Sequence, residues 1–258
     1  MHIFLTGASA GIGEGLAREL ARAGHSLSLV ARRRDRLAAL AAELGVPCHL
    51  VAADLSDPEG AVALLGPAEA ALGPIDVLIN NAGQQVIGHS HLVPFADTRR
   101  VIELNLLTPL ALTQAVLPAM IARRSGTIVD IASMAALAPT PRMLSYNAAK
   151  CGLAGASAAL RGELLGSGVH VVTVYPGIID TEMAANALQI IEPSLVLRLQ
   201  PRGTPAGLAE RVHRAIQRRQ DRVIYPLPNA LARWFPTITR WLMDRMTPPL
   251  ATNQRFGA

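Results

Sequence analysis

From the first residue to about residue 225, short aliphatic runs alternate with longer stretches rich in alanine and leucine, and nothing else constrains the chain as tightly. The runs are Ile3–Leu5, Ser26–Ala31, Cys48–Ala52, Ile75–Asn80, Thr127–Ala132, Val169–Tyr175 and Val223–Tyr225. Most read as continuous Val, Ile and Leu, without the polar alternation of a strand that faces water on one side. Such runs are strands buried on both faces. Helical patterns fall between them, over roughly 12–24, 34–44, 58–72, 97–123, 145–166 and 204–219. Strands alternating with helices predict a parallel sheet with helices on both faces, a doubly wound α/β arrangement. All 258 residues fit one domain of this class. Two segments break the rhythm: an apolar, irregular insertion over 178–203, and a proline-punctuated tail over 226–258 that holds both tryptophans.

The first strand runs into Thr6-Gly7-Ala8-Ser9-Ala10-Gly11-Ile12-Gly13, which opens a helix. Glycines permit a tight turn and let the backbone approach a pyrophosphate, while the helix N-terminus supplies N–H groups and positive dipole. Gly7, Ser9, Ala10, Gly11, Ile12 and Gly13 are therefore the expected phosphate cradle of a Rossmann fold. A site built for NAD places an acidic residue after the second strand to bind the ribose 2′-hydroxyl. Here the sequence is Ala31-Arg32-Arg33-Arg34. A carboxylate would repel a 2′-phosphate, whereas guanidinium groups bind it bidentately. Arg32 and Arg33 are the expected contacts and NADP(H) the expected cofactor. Arg34 and Arg36 are expected on the solvent face of the next helix.

Ser133 closes the fifth strand, and Tyr146 and Lys150 open the following helix within Tyr-Asn-Ala-Ala-Lys. Positions four apart share one helix face, so phenol and ammonium can enter the same crevice. A free tyrosine titrates near 10. A nearby ammonium is expected to lower that value and ready Tyr146 as general acid or base. Ser133 would hydrogen-bond the same substrate oxygen. Lys150 is the only lysine in a chain that otherwise meets every need for positive charge with arginine.

The GxxxGxG spacing and these residues together make the chain resemble the short-chain dehydrogenase/reductase family over roughly residues 2–225. The resemblance implies further roles. Asp54, beside Leu55, stands where the family's acidic residue bonds the adenine amine. Asn80-Asn81-Ala82-Gly83 looks like the family's NNAG, with Asn81, Ala82 and Gly83 bordering the cofactor. Asn105 matches the fourth catalytic position, where it holds a water that relays protons from Lys150, and Lys150 also binds the nicotinamide ribose. Pro176-Gly177 resembles the motif that lies against the nicotinamide, with Ile179 and Thr181 positioned for its carboxamide and Asp180 left to solvent. Residues 178–203 correspond to the substrate lid, whose Met183, Leu188, Ile190, Ile191, Leu195, Val196, Leu197 and Leu199 suit an apolar substrate. A homodimer through the Gly/Ala-rich 151–165 helix and the long helix before it is also implied.

The implied activity is NADP(H)-dependent interconversion of a ketone or aldehyde with an alcohol. Reduction of 3-oxoacyl thioesters is an alternative within the family, and a non-catalytic NADP(H) sensor an alternative outside it. A net charge of +5 invites a nucleic-acid reading, but the arginines are scattered and aromatic residues make up only 3%. His89 and His91 lack nearby ligands to complete a metal site, and Cys48 and Cys151 read as small apolar residues. The first strand begins at once and no uninterrupted apolar run is long enough to span a bilayer. A cytoplasmic location is expected. In the tail, Leu231, Trp234, Phe235, Ile238, Trp241, Leu242 and Met246 recur at helical spacing among arginines. Packing on the body or cleft is the first reading. A subunit interface or a membrane surface remains open.

Overall fold

Strands apolar on both sides must be covered on both sides, and the computed structural model, described here for residues 1–192 and 200–250, meets that demand with two helical layers. The strands are β1 (His2–Thr6), β2 (Ser26–Ala31), β3 (Cys48–Ala52), β4 (Val77–Asn80), β5 (Gly126–Ile131), β6 (Val169–Pro176), β7 (Ile178–Ile179), β8 (Arg202–Gly203) and β9 (Arg222–Tyr225). Seven form one sheet in the order β3-β2-β1-β4-β5-β6-β9, every neighbouring pair parallel. The order reverses between β1 and β4, so a crevice opens there beyond the carboxyl ends of the strands.

One face is covered by α1 (Gly11–Arg22), α2 (Arg34–Leu44) and a later helix. Leu16, Leu20, Leu37 and Leu40 pack there on Ile3, Leu5 and Leu29. The other face carries α3 (Pro58–Val62), α4 (Leu65–Leu72), α5 (Phe95–Ile102), α6 (Thr108–Ala122) and α7 (Leu144–Glu163). Leu65, Leu112, Val116 and Met120 meet Phe4, Leu78 and Ile128 on that side. After the sheet's sixth strand come α8 (Glu182–Ile190), α9 (Pro205–Arg218), α10 (Leu231–Trp234) and α11 (Pro236–Met246). The first layer is completed by α9, through buried Leu208, Val212 and Ile216.

Three local predictions are corrected. The helix expected over 58–72 is two helices, α3 and α4, separated at Ala63 and Leu64. Pro67 has no N–H for the Ala63 carbonyl and its ring crowds that group, so a continuous helix cannot pass. The helix expected over 97–123 starts at Phe95 and widens into a π-helical stretch at Glu103–Leu107. Pro109 likewise cannot donate to the Asn105 carbonyl, and the turn closes instead from the Thr108 N–H to the Glu103 oxygen. The whole Phe95–Ala122 helix is long and apolar enough to cross a membrane by length and composition, although it buries Val101, Leu112, Val116 and Met120 inside the fold. The insertion, expected to be irregular, holds the β7–β8 pair and α8, with Thr181 capping the helix. Leu195, Val196, Leu197 and Leu199 lie outside the described residues.

Candidate active site

The turn after β1 and the turn after β4 are laced together. Asn81 donates from Nδ2 to the carbonyls of Thr6 (2.9 Å) and Gly7 (3.2 Å). The Thr6 hydroxyl accepts from the N–H groups of Asn81 (2.9 Å) and Ala82 (3.0 Å) while donating to Ile79 (3.1 Å). This packing leaves no room for a side chain at position 13, where a Cβ would collide with the Gly7 carbonyl oxygen. Ala10, at the N-cap of α1, has no side-chain acceptor, so the first amides of the helix face the crevice without a cap. Uncapped amides, a positive dipole end and a close-approach glycine form a cradle that fits a dinucleotide pyrophosphate.

At the far end of the crevice Arg33 donates from Nη2 to the Ser9 hydroxyl at 3.3 Å. Its Nη1 stands 3.7 Å from a carboxylate oxygen of Glu182, at the start of α8, and Arg36 stands 3.6 Å from the same oxygen. Arg34 is exposed as expected, but Arg36 reaches across to α8. Arg32 lies on the cavity wall with Arg33. Asp54 accepts on Oδ1 from the Ser56 N–H (3.0 Å) and hydroxyl (2.7 Å), and on Oδ2 from Arg100 (2.8 Å). The Ser56 bonds, and then Arg100, hold its carboxyl below the usual range, and Oδ2 keeps a lone pair for one further donor.

Ser133, Tyr146 and Lys150 converge where β5 ends against the first turns of α7. The Ser133 hydroxyl accepts from the Ala135 N–H at 3.1 Å and bonds the Tyr146 phenol. Lys150 is buried, donates to the Ile131 carbonyl at 2.8 Å, and sits 5.9 Å from the centre of the Tyr146 ring. Removal from water pulls the ammonium down to about 8, against the attraction of Asp130. For Tyr146 the expected direction is reversed. Burial pushes the phenol up, and the Ser133 hydrogen bond only partly opposes it. Burial outweighs that bond and leaves the neutral phenol as the favoured form.

Asn105 is fully buried and stands outside the cavity wall. Its amide grips the backbone of Gln84 from both sides, accepting from the N–H at 3.0 Å and donating to the carbonyl at 2.7 Å. Gly83 makes this possible, since a Cβ there would lie 2.5 Å from the Asn105 oxygen and 3.6 Å from the Lys150 ammonium. Thr181 donates to the Ile179 carbonyl (3.2 Å) and accepts from the Ala184 N–H (3.2 Å), so its hydroxyl is already the cap of α8.

The site residues expected from the sequence, Asn105 excepted, share one cavity of about 920 Å³. Gly7, Ser9 to Gly13, Arg32, Arg33, Asp54, Leu55 and Asn81 to Gly83 line one arm; Ser133, Tyr146, Lys150, Pro176, Gly177, Ile179 and Thr181 line the junction. The remaining walls are largely apolar and include Met134, Met143 and Met183 with Leu242, Met243 and Met246 of α11. Sequence reasoning passed over Gln84, whose buried Nε2 on this wall has no partner among the described residues, and Glu182, which ties α8 to the arginines. Neither carries a motif signal. Among the described residues, no group of three or more His, Cys, Asp or Glu is placed to hold a metal.

A family model described as short chain dehydrogenase matches residues 1–190. A short chain dehydrogenase of Pseudocercospora fijiensis is 35% identical over 191 residues, which is 70% of this chain and 60% of that protein's length. The 11-beta-hydroxysteroid dehydrogenase 1A of Arabidopsis thaliana is 33% identical over 253 residues, 93% of this chain and 70% of the relative. A solved short-chain dehydrogenase from Sphingobium yanoikuyae, in complex with NADPH, superposes with a TM-score of 0.79 at 32% identity and 98% coverage of both chains.

Proposed function

This chain belongs to the short-chain dehydrogenase family, and from that premise we propose that it is an NADP(H)-dependent oxidoreductase interconverting an apolar ketone or aldehyde with its alcohol. The observation that carries the reading is the meeting of the Ser133 hydroxyl, the Tyr146 phenol and the Lys150 ammonium at the junction of a phosphate-cradling arm and an apolar arm. Bound along the first arm, NADP(H) would supply the hydride in reduction and take it up in oxidation. Tyr146, kept as a neutral phenol by burial, delivers its proton to the substrate oxygen in the reductive direction. Ser133 bonds the same oxygen as charge develops there. Lys150 holds positive charge behind the phenol and is positioned for the nicotinamide ribose. Asn105 acts at one remove, fixing the Gln84 backbone.

NADP(H) is preferred because Arg32 and Arg33 occupy the place where a 2′-hydroxyl site would carry a carboxylate, and the Sphingobium relative is itself an NADPH complex. The same arginines set a kcat/KM advantage for NADPH over NADH of at least ~10-fold. The methionine-rich arm favours a bulky apolar substrate, in keeping with the hydroxysteroid name of the Arabidopsis relative. The small-residue outer face of α7, with Gly155, Ala158, Ala159 and Gly162 exposed, suits a homodimer.

Tyr146→Phe tests the assignment. It should cut NADPH-dependent carbonyl reduction by ~10²–10⁴-fold, the usual worth of a positioned acid, with NADPH affinity unchanged. Full activity in that variant would leave a cofactor-binding sensor as the better reading.

A further inference from the structure

The C-terminal segment covers the cavity with its minor face and leaves its apolar face bare. Of the residues in α11, only Thr239 and Met243 are even half-buried, and both line the cavity. Trp234 is 70% exposed, Phe235 53%, Ile238 57% and Trp241 53%. A helix of a soluble fold ordinarily turns such a stripe inward, and a contiguous exposed apolar patch marks a contact surface. The patch is also cationic. Arg233 lies over the Trp234 ring at 5.3 Å and Arg245 over Trp241 at 4.9 Å. With Arg240, residues 227–250 carry three arginines against a single acidic residue, Asp244.

We propose that this face docks on an anionic lipid surface, with α11 lying in the plane of the headgroups. Tryptophan rings sit at headgroup depth, and guanidinium groups stacked on them reach lipid phosphates. Each basic residue near an anionic leaflet adds further attraction. A second copy of the chain fits less well, because a two-fold contact sets the patch against itself and brings arginine to arginine. The backbone anchors the segment in this pose. Arg142 donates to the Pro248 carbonyl at 2.7 Å, and Glu192 donates its N–H to Pro249 at 3.0 Å. Leu242 and Met246 are at once cavity wall and exposed surface. The docked face is therefore continuous with the apolar arm, and a lipid-dissolved ketone can enter without crossing water. That last step rests on the proposed reaction; the docking does not.

Both tryptophans of the chain lie in this face, so intrinsic emission reports on docking alone. The full chain is mixed with vesicles of phosphatidylcholine, or of phosphatidylcholine with about one third phosphatidylglycerol, and followed by flotation and emission. Flotation with the anionic vesicles and a blue-shifted emission are expected, with clearly weaker binding to the neutral ones. Trp234→Ser with Phe235→Ser, which retains Trp241 as reporter, should weaken binding at least ~10-fold. Reduction of a water-soluble ketone should stay unchanged, since neither residue lines the cavity. Arg240→Gln with Arg245→Gln should remove the preference for anionic lipid. Absence of flotation and of any emission shift with both vesicle types would overturn the proposal. So would a fall in sedimenting mass for the Ser variant with its vesicle binding intact, since the face would then be a subunit interface. Flotation reads docking whether or not any ketone is turned over, so it fails independently of the reaction.

Discussion

Replacing Lys150 by methionine should make the protein more stable and almost inactive. Among the described residues the buried ammonium makes one hydrogen bond, to the Ile131 carbonyl at 2.8 Å. Burial lowers it from its ordinary 10.5 to about 8 even with Asp130 attracting it. At about 1.4 kcal/mol per pKa unit, that fall corresponds to roughly 3 kcal/mol of folding free energy lost to an ill-placed charge at neutral pH. Methionine has a similar length and no charge, but strands the Ile131 carbonyl, costing about 1–3 kcal/mol. The net expectation at pH 7 is a gain of about 1 kcal/mol. The pH dependence identifies the cause. Below about 8 both folded and unfolded chains hold the proton, and the cost is present in full. Between about 8 and 10.5 the unfolded chain holds more protons than the folded one, so the stability of the parent protein rises with pH. The advantage of Lys150→Met should therefore shrink from the foot of that window, vanish within it and become a deficit of about 2 kcal/mol at its top, where only the stranded carbonyl remains. Urea unfolding at a series of pH values, without cofactor and with equal m-values, makes the comparison. A variant that is less stable than the parent at pH 7, by a margin constant in pH, would refute the reasoning.

The charge on Lys150 should also appear in catalysis: kcat/KM for reduction, which reports the free enzyme, should fall above about pH 8. Asp130→Asn removes the attraction that supports the ammonium and should move that limb to lower pH; an unmoved limb would mean Asp130 carries no charge there. Glu182→Gln frees Arg33 and Arg36 from an exposed ion pair worth at most about 1 kcal/mol. The KM for NADPH should fall by up to ~5-fold with that for NADH unchanged, and equal shifts for both cofactors would sink the idea. Gly83→Ala forces a Cβ to 2.5 Å from the Asn105 oxygen and should cost about 2–3 kcal/mol with loss of activity, seen by thermal unfolding. Gly66→Ala in α4, with nothing within 4 Å of its Cβ, should instead be neutral or stabilising by up to about 1 kcal/mol.

The architecture was readable because it is periodic. Aliphatic runs at Leu27–Ala31 or Val169–Val174 admit one burial pattern, and the positions of α2 and β3 follow within the residue. Proline chemistry at Pro67 and Pro109 was equally present in the sequence, but its consequence depends on whether a neighbouring helix makes a break or a π turn tolerable. The site was legible where residue type and spacing carry the chemistry, as in Tyr146 and Lys150 four apart. It was illegible where roles depend on what burial does to a charge. The rise of the Tyr146 phenol comes from removal from water, which spacing along α7 does not encode. Glu182 and Gln84 sit in no motif, and only the fold brings the first to Arg33 and leaves the second with a free amide.

The buried polar residues explain how so aliphatic a sheet holds a site still. Asn80, at the end of β4, donates from Nδ2 to Asp130 (2.8 Å), Thr113 (3.2 Å) and the Pro109 carbonyl (3.5 Å). Asp130 in turn accepts from Ser157 of α7. Two strands and two helices thus meet at one carboxylate, which burial pushes up and these hydrogen bonds pull down. The same Pro109 that anchors Asn80 opens the π turn that faces Asn105 inward onto Gln84, next to the glycine against which Lys150 lies. Apolar packing alone tolerates small slides of one layer over another, whereas a hydrogen bond lost to a buried carboxylate costs about 1–3 kcal/mol or more. Displacing α7 by even a fraction of a turn would break the Ser157–Asp130 bond. The position of Tyr146 and Lys150 is therefore fixed by these few polar contacts together with the aliphatic core around them.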